Sequence, residues 1–137
     1  MDDRMLFALA LQARGRAYAP YSGFAVGAAL LCADGSVYTG CNIENAAFTP
    51  TVCAERVAVF RAVSDGKRDF AAIAVAGGPA GEDPNALCAP CGVCRQVLAE
   101  FCGGDFRIVL GASADSLRVC TLAELLPLRF GPESLGE

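Results

Sequence analysis

The sequence predicts an α/β fold in three layers: a mixed five-stranded sheet with helices on both faces, its fifth strand antiparallel to the fourth. Three observations carry that prediction. Helical and extended segments follow one another as α-β-β-α-β-α-β-β, and strands that alternate with helices pair in parallel through crossovers. Asp34-Gly35 lies between two apolar runs, a hairpin signal that makes the first two strands antiparallel. The connection Gly111 to Ser116 is too short for a parallel crossover, which takes about a dozen residues, so the last strand turns back on the fourth.

Each element has its own signal. Asp2–Tyr18 reads as a helix: Asp2 or Asp3 caps it, Leu6, Leu9, Ala13 and Ala17 make an apolar stripe, and Pro20 follows its end. Phe24–Cys32 is apolar without helical period, and Ser36–Gly40 is the return strand after the turn. A polar, small-residue loop runs from Asn42 to Thr51. Thr49 with Pro50 suits an N-cap and first turn, giving a helix that stops at Gly66. Phe70–Ala76 is a buried strand and Gly77–Pro90 a loop rich in glycine and proline. Gly92–Cys102 is a helix with Val93, Val97, Leu98 and Phe101 on one face. Phe106–Leu110 and Leu117–Cys120 are strands, and Leu122–Leu126 is a helical turn. The third and fourth strands are expected to be parallel.

Composition narrows the function. The chain of 137 residues is expected to form one domain, 1–137, without internal repeat or linker. It is 54% hydrophobic and 19% charged, against about 25% charged for an average soluble protein. No apolar stretch is long and unbroken enough for a membrane span: Ala17–Ala33, the longest without charge, contains Pro20. Arg4 and Arg14 bracket the apolar run Met5–Leu11 and no cleavage site follows, so the expectation is a cytoplasmic protein with no membrane partner. A surface this poor in charge is expected to be covered by copies of the same chain. A net charge of −4 argues against a nucleic-acid partner, which calls for a basic stripe.

There is no histidine, which excludes any mechanism built on an imidazole base or ligand. There are eight cysteines, and without an export signal metal or free thiols is the stronger reading. Pro90-Cys91-Gly92-Val93-Cys94 places two thiols three apart at a helix start, where the helix terminus favours thiolates and the spacing suits zinc. The same C-x-x-C is a redox motif in thioredoxin-like folds, but there it follows the first strand of a βαβ unit, and here it follows the third strand. Cys53-Ala54-Glu55 adds a third thiol at another helix start. Both helices are expected to begin at the carboxyl ends of adjacent parallel strands, so that Cys53, Cys91 and Cys94 converge on one Zn2+ and leave a fourth position open, as in catalytic sites. Cys88 is a rival ligand that would close the site to four sulfurs; it precedes Pro90 and lies off the helix. Glu55, two positions from Cys53, is read as facing the open position. Arg56, three positions on, shares the face of Cys53 and offsets the charge of three thiolates.

These residues bring the sequence to a family. It resembles the small, homotetrameric zinc-dependent cytidine deaminases from Leu6 to about Leu135. The resemblance is carried by AYAPYS (17–22), FAVGAAL (24–30), GCNIENA (40–46), CAER (53–56), APCGVCRQ (89–96) and ELLPLRFGPE (124–133). It implies hydrolytic deamination of cytidine and deoxycytidine to uridine and deoxyuridine: a zinc-activated water attacks C4, Glu55 moves the protons, and ammonia leaves. It implies that Asn42 and Glu44 hold the ribose hydroxyls and that Phe24 packs on the base. The Ala54 and Cys91 amides act as donors around the pyrimidine and the reacting oxygen. Ala46 and Phe130 reach a neighbouring subunit's site, so the tetramer shares its pockets.

One position departs from the family pattern. Phe48 stands where a tyrosine is common, which removes a hydroxyl near the pocket mouth. An apolar rim there leads to the expectation that N4-substituted cytidines are tolerated. The readings left open are an aminonucleoside deaminase acting on a cytosine-containing antibiotic, a structural zinc module without activity, and a dithiol oxidoreductase.

Overall fold

The structure is a computed structural model, and it describes residues 1–136. Its elements are α1 (Asp3–Arg14), β1 (Phe24–Cys32), β2 (Val37–Cys41), α2 (Ala54–Ser64), β3 (Phe70–Pro79), α3 (Gly92–Phe101), β4 (Arg107–Ser113), β5 (Ser116–Thr121) and the short α4 (Leu122–Leu125). A 3-10 turn at Pro132–Leu135, which the sequence pattern does not announce, follows. The sheet order is β2-β1-β3-β4-β5. β1 is antiparallel to both β2 and β3, β3 is parallel to β4, and β5 turns back antiparallel on β4. The mixed α/β class is as expected.

One feature of the topology corrects the expectation. α2 follows β2 and α3 follows β3, but these two parallel strands are not neighbours, because β1 lies between them. β1 is nine residues long and apolar on both faces, so it takes a central place and hydrogen-bonds along both edges.

β4 runs to Ser113, beyond the expected Leu110, because it stays paired with β5 to the turn, and three boundaries nearer the cavity move for local reasons. α1 ends at Arg14, not Tyr18, because the Tyr18 N–H donates to the Asn42 carbonyl (3.0 Å) and its carbonyl accepts from Glu44 N–H (2.8 Å). α2 begins at Ala54 with Cys53 as N-cap, not at Thr49-Pro50. Ile43 and Val52 exchange two backbone hydrogen bonds of 3.0 Å, so the chain is still in a hairpin where the helix was expected to start. β3 continues through Gly77-Gly78 to Pro79 because the start of β1 pairs with it there, Phe24 opposite Pro79.

Alternation along the strands sends side chains to two different layers. Leu6, Phe7 and Ala10 of α1 pack on Ala29, Ala72, Ala74, Ala76 and Val109. On the opposite face α2 and α3 cover Ala28, Leu30, Ile73, Val75, Ile108 and Leu110. Close approach needs glycine on both faces. A Cβ on Gly27 would lie 2.0 Å from the Ala10 carbonyl oxygen of α1, and one on Gly40 would lie 2.5 Å from the Ala54 carbonyl oxygen and 2.6 Å from the Ala58 nitrogen of α2. No helix among the described residues is long and apolar enough to cross a membrane.

Candidate active site

The N-terminal ends of α2 and α3 meet. Cys53 is the N-cap of α2 and Cys91 the N-cap of α3, and neither side chain caps its helix by a hydrogen bond. Both thiols are therefore free to turn away from the helix axis, towards Cys94 in the first turn of α3. The sulfurs of Cys53 and Cys91 are 3.7 Å apart and those of Cys91 and Cys94 3.5 Å. All three lie within 4.8 Å of one another. A tetrahedral zinc with Zn–S bonds of about 2.3 Å needs sulfurs about 3.8 Å apart, so this donor set fits the ion in spacing and in chemistry. Among the described residues it is the one cluster of three such donors, and Cys88 is not part of it.

The charges around the cluster are asymmetric. A hydrogen bond from the Cys94 thiol, helped by Arg56, holds the Cys53 thiol below the usual thiol range. The same bond, together with burial, pushes Cys94 up. Arg56 Nη2 is 3.4 Å from the Cys53 sulfur, as the shared helical face suggests. Glu55 lies outside the sulfur cluster and is only 4% exposed. Burial pushes its carboxyl up to about 7, and the Cys53 thiolate adds to the shift, while Arg56 works against it. A buried carboxyl with a raised pKa beside three sulfurs at zinc-binding spacing is suited to general acid–base chemistry.

These groups open on a cavity of about 330 Å³, within the range of small-molecule sites. Cys53, Ala54, Glu55 and Cys91 form one end; Ser22, Asn42 and Glu44 also line it, and Phe24, Val26, Val52 and Cys88 supply apolar wall. Phe24 is 42% exposed, so it is a wall residue and not core. Asn42, nearly buried, accepts from Val26 N–H (2.9 Å) and donates to the Phe24 carbonyl (2.8 Å). It thereby pins the edge of β1, and its second amide hydrogen remains for a ligand. Glu44 accepts from the Tyr21 and Ser22 N–H groups (2.9 and 3.1 Å) and from the Ser22 hydroxyl. Hydrogen bonding from Ser22 keeps its carboxyl below the usual range. Ser22 is a residue the sequence reading did not single out, although it ends the AYAPYS motif.

The remaining candidates lie elsewhere. Phe48 is 90% exposed and lines a separate hollow of about 120 Å³ with Tyr21, Ser22, Glu44 and Thr51, at the Glu44 end. Ala46 is exposed on the same hairpin tip and lines neither space. Phe130 is 59% exposed, and its carbonyl accepts from Gln96 Nε2 at 2.8 Å. A larger depression of about 680 Å³ runs along α2 past Tyr38, Phe60 and Arg61, but no thiol lines it.

Comparison with known proteins gives the family. Residues 1–111 match the family model described as the cytidine and deoxycytidylate deaminase zinc-binding region. A cytidine deaminase of Sporosarcina psychrophila is 50% identical over 136 residues, covering 99% of this chain and 96% of that protein. One of Halalkalibacterium halodurans is 49% identical over 137 residues, covering all of both chains. The crystal structure of cytidine deaminase from Burkholderia pseudomallei superposes with a TM-score of 0.85 at 45% identity, covering 95% of this chain and 100% of that one. The three cysteines lie within the residues that match the zinc-binding region, and the chain belongs to the cytidine and deoxycytidylate deaminase family.

Proposed function

We propose that this protein hydrolyses cytidine and deoxycytidine to uridine and deoxyuridine with release of ammonia. The observation that carries the reading is the buried Glu55 carboxyl beside Cys53, Cys91 and Cys94 at zinc-binding spacing. When bound, zinc supplies Lewis acidity that makes water a nucleophile near neutral pH. Glu55 takes a proton from that water and returns protons to N3 and to the departing amine: water oxygen bonds to C4, the C4–N4 bond breaks, and ammonia leaves. The first amide of α2, at Ala54, has no partner within the helix and faces the base. Phe24 covers the ring, and Asn42 and Glu44 hold the sugar hydroxyls. Arg56 balances the sulfur charge.

Residues 1–137 act as one domain, in the cytoplasm, as a homotetramer whose sites are completed by Ala46 and Phe130 of neighbouring copies. The exposure of Phe48, Phe60, Phe130 and Leu128 supports self-association. Tolerance of N4-substituted cytidines draws no support from the arrangement, because Phe48 shares a hollow with Glu44 and not with Glu55. The kcat/KM ratio of N4-methylcytidine to cytidine, compared with that of Phe48→Tyr, decides the point: a ratio that falls with tyrosine supports it, an unchanged one removes it.

The reading is tested by metal analysis together with ammonia release. One zinc per chain and turnover of cytidine are expected, with both lost in Cys53→Ala. A zinc-loaded, folded protein that releases no ammonia from cytidine or deoxycytidine overturns it.

A further inference from the structure

The chemistry above leaves one thiol on the cavity wall without a role. Cys88 lines the cavity, is half-buried, and stands outside the sulfur cluster. Its place follows from the sheet. A Cβ on Gly77 of β3 would lie 2.6 Å from the Cys88 sulfur and 3.1 Å from the Phe24 ring, so Cys88 rests directly on β3. The first turn of α2, which carries Glu55, rests on Gly40 of β2. β1 separates these two strands, and two strand spacings amount to about 9.6 Å. Glu55 and Cys88 therefore stand on opposite walls, with Phe24 and Val26 of β1 between them.

A pyrimidine placed in this cavity has little freedom. C4 must face the sulfur cluster, and its two ring neighbours, N3 and C5, point to opposite sides. N3 needs the proton held by Glu55 and so faces the α2 wall. C5 then faces the β3 wall. The carbon edge of the ring makes no conventional hydrogen bond and suits an apolar surface. We propose that Cys88, seated on Gly77, is the residue that sets how large a group on C5 of the pyrimidine the enzyme accepts. Burial pushes the Cys88 thiol up to about 11, so it meets the ring as a small neutral group and not as a charge. The absent side chain at Gly77 lets the sulfur sit back against the sheet and keeps the C5 space open.

The inference rests on the deaminase reading, and the test separates the two. The quantity measured is the ratio of kcat/KM for 5-ethylcytidine to that for cytidine within each protein, so that general losses cancel. Cys88→Ala should raise the ratio about tenfold and Cys88→Leu should lower it by a similar factor, the usual worth of one methylene in an apolar pocket. Gly77→Ala should lower it too, since the new Cβ pushes the sulfur into the cavity. Calorimetric affinities for uridine and 5-ethyluridine should shift in the same directions. Ratios and affinities within twofold of wild type in both Cys88 variants, or losses shared equally by the two substrates, overturn the proposal. Failure of the deaminase reading would show as zinc-loaded wild type inert towards cytidine, while the calorimetric arm still reads the Cys88 wall.

Discussion

The two faces of the sheet are built from the same strands and are put to different uses. Against α1 the sheet presents Ala29, Ala72, Ala74 and Ala76, small side chains that let the helix settle close and leave no room for a ligand. Against α2 and α3 it presents larger side chains further down the strands, such as Leu30, Ile73 and Ile108. Near the carboxyl ends of β2 and β3 that face changes to glycine: Gly40 brings the first turn of α2 against the sheet, while Gly77 faces Cys88 of the loop before α3, beside the cavity. The difference shows how one sheet is both filled and hollowed. Small residues facing a helix bring it in; a small residue facing a loop side chain, as Gly77 faces Cys88, makes space beside it.

The contrast can be broken in order of effect. The largest change is expected from Glu55→Gln. Loss of one general acid–base group typically costs about 10² to 10⁴ in rate, and zinc content should stay at one per chain. Thermal stability should hold or rise at pH 8, because the amide never has to be buried as an anion, the form that burial disfavours in Glu55. A variant that turns over cytidine within tenfold of wild type would remove Glu55 from the proton path.

A pair of glycine variants then sharpens the comparison. Gly40→Ala and Gly27→Ala each drive a methyl into helix backbone, at 2.5 Å and 2.0 Å respectively. Each should cost about 1–3 kcal/mol or more by overpacking, seen in thermal melts. Only Gly40→Ala displaces the turn that carries Cys53 and Glu55. It should lose zinc or at least tenfold in kcat/KM per folded molecule, whereas Gly27→Ala should keep both within about threefold. Equal functional losses in the two variants would mean that the faces are coupled through the sheet and not separated by it.

Much of this was legible in the sequence. The alternation of elements, the Asp34-Gly35 turn and the short Gly111–Ser116 connection led to the observed class and to the direction of every neighbouring pair they addressed. The three cysteines at two helix starts come together as their spacing suggests. What the sequence did not reveal depends on pairing at a distance. Nothing local in Phe24–Cys32 says that it inserts between the two strands that feed the helices. The late start of α2 follows from Val52 answering Ile43, a partner nine residues back, and not from the capping preference of Thr49. Asn42 reads as a ligand-binding residue, yet two of its polar atoms already hold β1 in place. The hollow at Phe48 and the seat of Cys88 on Gly77 depend on which residues face each other across the fold, which one sequence does not state.

The small hairpin closed by Ile43 and Val52 has a consequence for how such a protein can diversify. Asn42 and Glu44 leave one side of it, Cys53 and Glu55 the other, and the backbone pair fixes the distance between them. Residues 45–50 lie beyond that clasp and are exposed. The tip can therefore change without transmitting the change to either end of its own chain's cavity. Selection on the tip, where Ala46 and Phe48 sit, can act on what a neighbouring copy meets, as on an address label, while the two ends of the chain's own cavity stay in register.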